Sequence, residues 1–346
     1  MPHTLDLIVQ PRLSPATSLA TDRALLGEVR GRTDLRSGAL RVYDLVGEVL
    51  SLGRYHLAPD GPSSRGGVRL WRRHSGGRAM PWGEGFVGVS LVLPHRSALV
   101  ASEPLALTPE QVLNRHVRGI LEACELSGVP AFYPGRDVVT VERRILAVVS
   151  FEVDAAGALL FEAVIANTRD LSVLPGLLDR ADPGGVVKAG MLTADDTTSL
   201  ARAVGRELAT EEVAERLCRG YERRLGVRFE ERRLAPDAPF DEDRWLRARS
   251  ARADLDRHAS VATQLGVLEA HLALRDGRIG DVVLAGDFIA NSPAVERLEH
   301  DLRGCPAERA AIDAVVASVL AEPGNFILGV GPPATIVDAI AQGLVA

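Results

Sequence analysis

Lysine is almost missing from this sequence. Of 40 basic residues only Lys188 is a lysine, so arginine stands nearly wherever a cation appears, including places where a relative would carry lysine. Cysteine is sparse too. Cys124, Cys218 and Cys305 lie far apart, with no CxxC pair and no Cys/His cluster at zinc spacing. That pattern argues against a structural metal and points to a reducing, cytoplasmic setting. No apolar run is long enough to span a bilayer, and MPHTLDLIVQPRLSP has no basic start leading into an apolar stretch of signal length, so no membrane partner is expected. The net charge is -6 and no basic block stands out, which argues against nucleic acid, whose binding needs a concentrated positive face. What is present is an ordinary globular composition, 46% hydrophobic and 25% charged over 346 residues, enough for a sizeable core and two domains.

The segment that carries most chemistry is WRRHSGGRA, Trp71 to Ala79, followed by the buried-type strand FVGVSLVL, Phe86 to Leu93. Arginines supply charge and forked donors, two adjacent glycines let the backbone approach an anion, and Ser75 adds a hydroxyl. Such a bend can hold a phosphate. The plain alternative is a hairpin turn with exposed arginines. Arg72 and Arg73 are neighbours, so in an extended chain they point to opposite faces. Arg73 is the one expected to reach a ligand, and Arg72 the solvated or structural one.

Around this bend the periodicity predicts a helix over 19–32, strands at 40–47 and 48–55, and a capped helix over 108–128. Thr108, Pro109 and Gln111 form its start signal, and Gly128 ends it. Strands are expected at 137–141, 144–153 and 158–166, and a second amphipathic helix at 210–226. Cys124 and Cys218 fall on the apolar faces of the two helices and read as packing. Residues 230–249 resemble a linker. Beyond them, 267–288 reads as a hairpin turning near Asp276-Gly277, followed by a helix capped by Ser292 and closed by Gly304.

Four of these segments, in this order and spacing, resemble a lipoate-protein ligase, in the superfamily shared with biotin-protein ligases and octanoyltransferases. ALRVYDLVGEVLSLGRY resembles the family's opening hairpin, and RRHSGGRA its R-R-x-S-G-G-G-A signature. GRDVVTVERRILA resembles the G-R-N-D stretch and the strand after it, and AGDFIANSPAVERLEHDLRG the accessory domain's G-D-F strand and helix. The resemblance implies an α+β fold: a mixed β-sheet catalytic domain of biotin/lipoate-ligase type with flanking helices over 1–249, including the linker from about 230, and a small α+β accessory domain over 250–346. It implies ATP, Mg2+ and lipoate, a lipoyl-adenylate, and transfer to a lysine of a lipoyl carrier domain. That carrier would belong to a 2-oxoacid dehydrogenase complex or be the glycine-cleavage carrier protein.

By position, Arg73, Ser75, Gly76, Gly77, Arg78 and Ala79 fall on the nucleotide loop. Arg144 falls where the family has the lysine that bridges carboxylate and α-phosphate. Lys188, in VVKAGMLT, lies near a lysine-glycine stretch that helps hold the nucleotide; the plain alternative is a surface lysine. Two anions must approach each other in such a reaction, so preplaced cations and backbone donors are what the chemistry requires. The lipoyl tail needs an apolar slot, which strands 86–93 and 144–153 could line. The sequence departs from the family pattern at several points. Arg144 replaces the lysine, Arg78 the third glycine, and Asp137 follows Gly135-Arg136 with no asparagine between. Met80, Pro81 and Trp82 fall where relatives often carry a histidine, and LLFEAVIAN replaces a histidine-glycine-threonine pattern. No cysteine follows the strands an octanoyltransferase nucleophile would need. Two readings result: an active ligase with Arg144 in the lysine's role, or a ligase-like protein that binds an acyl group or carrier domain without ligation.

Overall fold

The computed structural model describes residues 3–32, 37–99, 108–187, 193–234 and 240–345. The chain begins with β1 (His3–Leu13), α1 (Pro15–Val29), β2 (Ala39–Leu45), β3 (Glu48–Leu52), β4 (Ser64–Arg65), β5 (Val68–Arg72), β6 (Met80–Gly83) and β7 (Phe86–Leu93). It continues through α2 (Pro109–Glu125), β8 (Ala131–Phe132), β9 (Val138–Val141), β10 (Arg144–Val153), β11 (Leu159–Ala166) and α3 (Leu174–Ala181). Next come α4 (Leu200–Val204), α5 (Thr210–Leu225), β12 (Val227–Glu231) and α6 (Glu242–Arg247). The C-terminal part holds β13 (Arg257–Ala262), β14 (Val267–Arg275), β15 (Arg278–Gly286), β16 (Ile289–Ala290), α7 (Ser292–Leu302), α8 (Arg309–Leu320), β17 (Ile327–Leu328) and α9 (Ala334–Val345).

The fold is α+β. Eight strands form one mixed sheet in the order β12-β1-β2-β7-β11-β10-β9-β8. Its central strands β7 and β11 are apolar runs buried along their whole length, as strands covered on both faces must be. Helices α2 and α5 pack one face through Val117, Ile120, Leu217 and Tyr221. Helix α1 and the second sheet, β4-β5-β3-β6, cover the other face. The C-terminal module has its own core, built from the β13-β14-β15 sheet with α7, α8 and α9. Its β14–β15 turn falls at Asp276 and Gly277, both at positive φ, which is the geometry a tight two-residue hairpin requires.

Three features differ from the sequence reading. Strands β2 and β3 do not pair as a hairpin: β2 joins the large sheet and β3 the small one, because the chain crosses between layers at Gly47. The stretch expected as a linker carries ordered elements. Strand β12 pairs parallel with β1, and α6 packs Leu246 into the cluster under β3 and β5. Strand β1, which pairs with both β2 and β12, carries too short an alternation among polar residues to be read alone.

Candidate functional site

The RRHSGGRA segment joins β5 to β6, but both strands pair with β3 and not with each other. It is a crossover loop, not a hairpin turn, and Trp71 to Gly77 are all buried. Both arginines point inward, to two separate sets of oxygens. Arg72 donates to the carbonyls of Gly53, Arg54, His56, Leu246 and Arg249. Arg73 donates to the carbonyls of Gly76 and Arg78 and to the hydroxyls of Ser75 and Ser51. Burial pulls the two guanidinium pKa values down, to about 9 and about 10. Such groups stay charged in an interior only when their donors are satisfied.

Beneath the loop a row of polar residues crosses the sheet, one from each of four adjacent strands: Ser150, Glu162, Ser90 and Arg41. Ser150 Oγ donates to the Gly76 carbonyl at 2.9 Å, and Glu162 accepts from the Ser75 N–H at 2.7 Å. Ser90 and Arg41 both reach Asp22 on α1, Arg41 at 2.8 Å in an ion pair closed to water. Burial raises the Glu162 pKa, with the Asp22 charge adding to it. The row ties the loop and α1 to the sheet. Reading the sequence did not find it. The signal was there: a single polar residue inside otherwise apolar strands, as in LLFEAVIA and FVGVSLVL.

Arg78 joins two of the motif segments. Its guanidinium lies 2.6 Å from the buried carboxylate of Asp137, so the glycine loop and the Gly135–Asp137 turn meet in an ion pair. Ala79 packs into the apolar cluster of Leu50 and Leu52. Arg144 stands apart. It opens β10 at the surface, beside Thr198 and Arg202 in a cleft of about 200 Å³. It lies six positions before Ser150 on the strand, about 20 Å at the usual rise per residue. The sheet face between them is filled by Tyr43, Trp71, Met80, Trp82, Val148 and Val164. The structure thus gathers Arg73, Ser75, Gly76, Gly77, Arg78 and Ala79, and leaves Arg144 elsewhere. Lys188 lies outside the described residues.

The C-terminal module closes over the loop. The Gly77 N–H donates to the Phe288 carbonyl at 2.6 Å, and a Cβ on Gly76 would sit 2.3 Å from that same oxygen, so only glycine fits there. Tyr55 stacks on Phe288 at 4.6 Å, and His56 Nε2 lies 3.0 Å from Asp287. Glu152 accepts from the Ser292 N–H at 2.9 Å, and burial pushes its pKa up to about 7. The loop's Ser75 and Gly77 N–H groups and both its inner arginines are therefore engaged by protein oxygens.

Neither His74 nor the two helix cysteines is placed for nucleophilic chemistry. His74 packs against Phe240 and Trp245, bonds the Leu19 carbonyl, and is pulled down to about 4 by burial, so it stays neutral and away from Ser75. Burial raises Cys124 to about 12 and Cys218 to about 11, the opposite of an activated thiol. Among the described residues no three His, Cys, Asp or Glu side chains gather as a metal site, and no helix is long and apolar enough to cross a membrane. A cleft of about 340 Å³ opens beside the Arg78–Asp137 pair, between the Gly135–Asp137 turn, α2 and the C-terminal module.

Residues 254–325 match the family described as bacterial lipoate protein ligase C-terminus. No curated protein matches the chain by sequence. Among solved structures, the chain resembles P. falciparum LipL1 in complex with lipoate, at 12% identity, TM-score 0.67 and 99% coverage of both chains. It also resembles a lipoate-protein ligase A bound with ATP, at 18% identity and TM-score 0.51, over 72% of this chain and 94% of that one. A structure from the analysis of the bi-partite lipoate protein ligase and its E2 lipoyl domain from Thermoplasma acidophilum matches at 18% identity and TM-score 0.51, over 72% of this chain and 91% of that one. At these identities the likeness to these ligases is one of fold, and the family match is confined to the C-terminal module.

Proposed function

We propose, from the premise that this chain is a lipoate-protein ligase family member in its C-terminal module and its fold, that it binds lipoyl-type acyl groups or a lipoyl carrier domain without forming an adenylate. One observation carries this reading. Part of the loop that would wrap a nucleotide is already engaged by protein groups: Arg73 is bonded to its own loop, Ser75 N–H to Glu162, and Gly77 N–H to Phe288. These donors are not free for ATP and Mg2+, and a site that stabilises developing negative charge needs its anion donors free and preorganised. Arg144 supports the same reading, because it stands exposed at the start of β10, away from the strand position of Ser150 that bonds the loop.

The second reading is an ATP-dependent lipoate-protein ligase that forms lipoyl-adenylate and passes the acyl group to a carrier lysine. The Arg78–Asp137 pair favours it, since it holds two of the family segments together at the wall of an open cleft. One experiment separates the two. The protein is mixed with ATP, Mg2+, lipoate and an apo lipoyl domain, and the carrier's intact mass is followed. The expected outcome is no lipoyl increment, with binding of lipoate or carrier retained in calorimetry. An increment that disappears in Arg144→Ala overturns the binding reading in favour of ligation.

A further inference from the structure

We propose that the acyl group is held in the cleft between the Gly135–Asp137 turn and the C-terminal module, with Arg136 taking the carboxylate. This rests on the reading of the protein as a binder of lipoyl-type acyl groups. It moves the acyl site off the sheet face under the glycine loop, where strands 86–93 and 144–153 would have lined it.

Small-molecule sites measure roughly 300 Å³ and upward. The cleft is about 340 Å³, against about 170 and about 200 Å³ for two other clefts of the described structure. The sheet face between the glycine loop and Arg144 has no comparable room, for Trp71 and Trp82 fill it at 1% and 2% exposure. A chain of about eight carbons could enter there only by expelling a buried tryptophan from close-packed surroundings.

Leu113 of α2 and Ile289 and Leu328 of the C-terminal module give the cleft apolar walls from both sides. Arg136 stands exposed at the rim and makes no hydrogen bond or ion pair among the described residues, unlike Arg72, Arg73 and Arg78. Its guanidinium is free for a bidentate contact with a carboxylate. Two carboxylates also line the cleft: Asp137 is paired with Arg78, and Glu110 is exposed in the first turn of α2, where water and salt screen it. One apolar tail with one anionic end matches this lining.

The test titrates the full chain with octanoate and with lipoate in a calorimeter, and photolabels it with a diazirine analogue of octanoate. Arg136→Ala is expected to weaken binding at least tenfold, and Arg136→Lys to restore most of it. Gln264→Trp, at an exposed position on the rim, should weaken it by crowding while leaving the far-UV spectrum unchanged. Labels should fall within 264–289 and 326–332. No binding of either probe, unchanged affinity in Arg136→Ala and Gln264→Trp, or labels on Tyr43, Trp82 and Val148 would each overturn the cleft. Retained binding with labels at Trp82 leaves the wider binding reading standing. A lipoyl increment in the ligation assay overturns that wider reading, and the location of the label still decides the cleft.

Discussion

A guanidinium shut away from water persists only if oxygens surround it. Arg72 meets that condition with five carbonyls, and Arg41 with Asp22, Gln10 and Ser18. These are different kinds of stability. Arg72 gains from donors it cannot satisfy elsewhere, whereas the Arg41–Asp22 pair sets attraction against the desolvation of two charges. Removing one partner of that pair leaves the other buried and uncompensated. Asp22→Ala is therefore expected to cost about 3–5 kcal/mol in urea unfolding, and the double variant Asp22→Leu/Arg41→Met far less. Equal losses in the single and double variants would show that packing, not charge, dominates at this row.

Among the elements, α2 and α5 illustrate how a close approach is decided by two residues. A Cβ on Gly119 would lie 2.4 Å from the Tyr221 ring, and one on Gly220 would lie 2.3 Å from the Gly119 carbonyl. The helices thus touch backbone to backbone. Gly220→Ala meets main chain that cannot swing aside, and the expected loss is at the upper end of the ~1–3 kcal/mol typical of overpacking. Gly176→Ala in α3 has nothing within 4 Å and should do the reverse, stabilising by roughly 0.5–1 kcal/mol through the helix preference for alanine. Thermal unfolding of the two variants, read side by side, checks the opposite signs.

At the scale of the molecule, stability depends on what lies between the two modules and under the loop. Burial raises Glu152 to about 7 and Glu162 in the same direction, from 4.5 in the unfolded chain. It lowers His74 to about 4 and His116 to about 3, from 6.5. The native state therefore binds protons on the two glutamates as pH falls through 7, and stability rises with acidification from pH 8 to about 6.5. Below that the unfolded histidines take up protons and offset the gain. Below about 4.5 the unfolded glutamates are protonated too, and stability falls. Urea midpoints measured from pH 8 to 4 should show a plateau between about 4.5 and 6.5. In Glu152→Gln the rise between pH 8 and 6.5 should shrink, because one of the two titrating groups is gone.

Local pattern alone determined much of this protein. The α2 boundaries follow from Thr108, Pro109, Gln111 and an apolar face, and Gln111 does accept from the Thr108 N–H. Strand β10 spans Arg144–Val153, the range its apolar run announces, and the Asp276-Gly277 turn sits where its residues require. These features are short-range, and so is the order of segments that identifies the α+β fold. The site is not. Whether Arg73 meets a ligand or its own loop depends on oxygens contributed by Ser51, Ser75, Gly76 and Arg78. Whether Arg144 reaches the loop depends on what fills 20 Å of sheet face. Those are questions of which groups the fold packs together and which water it expels. Burial, charge pairing and free volume exist only once distant segments are in contact, so only the tertiary structure could decide them.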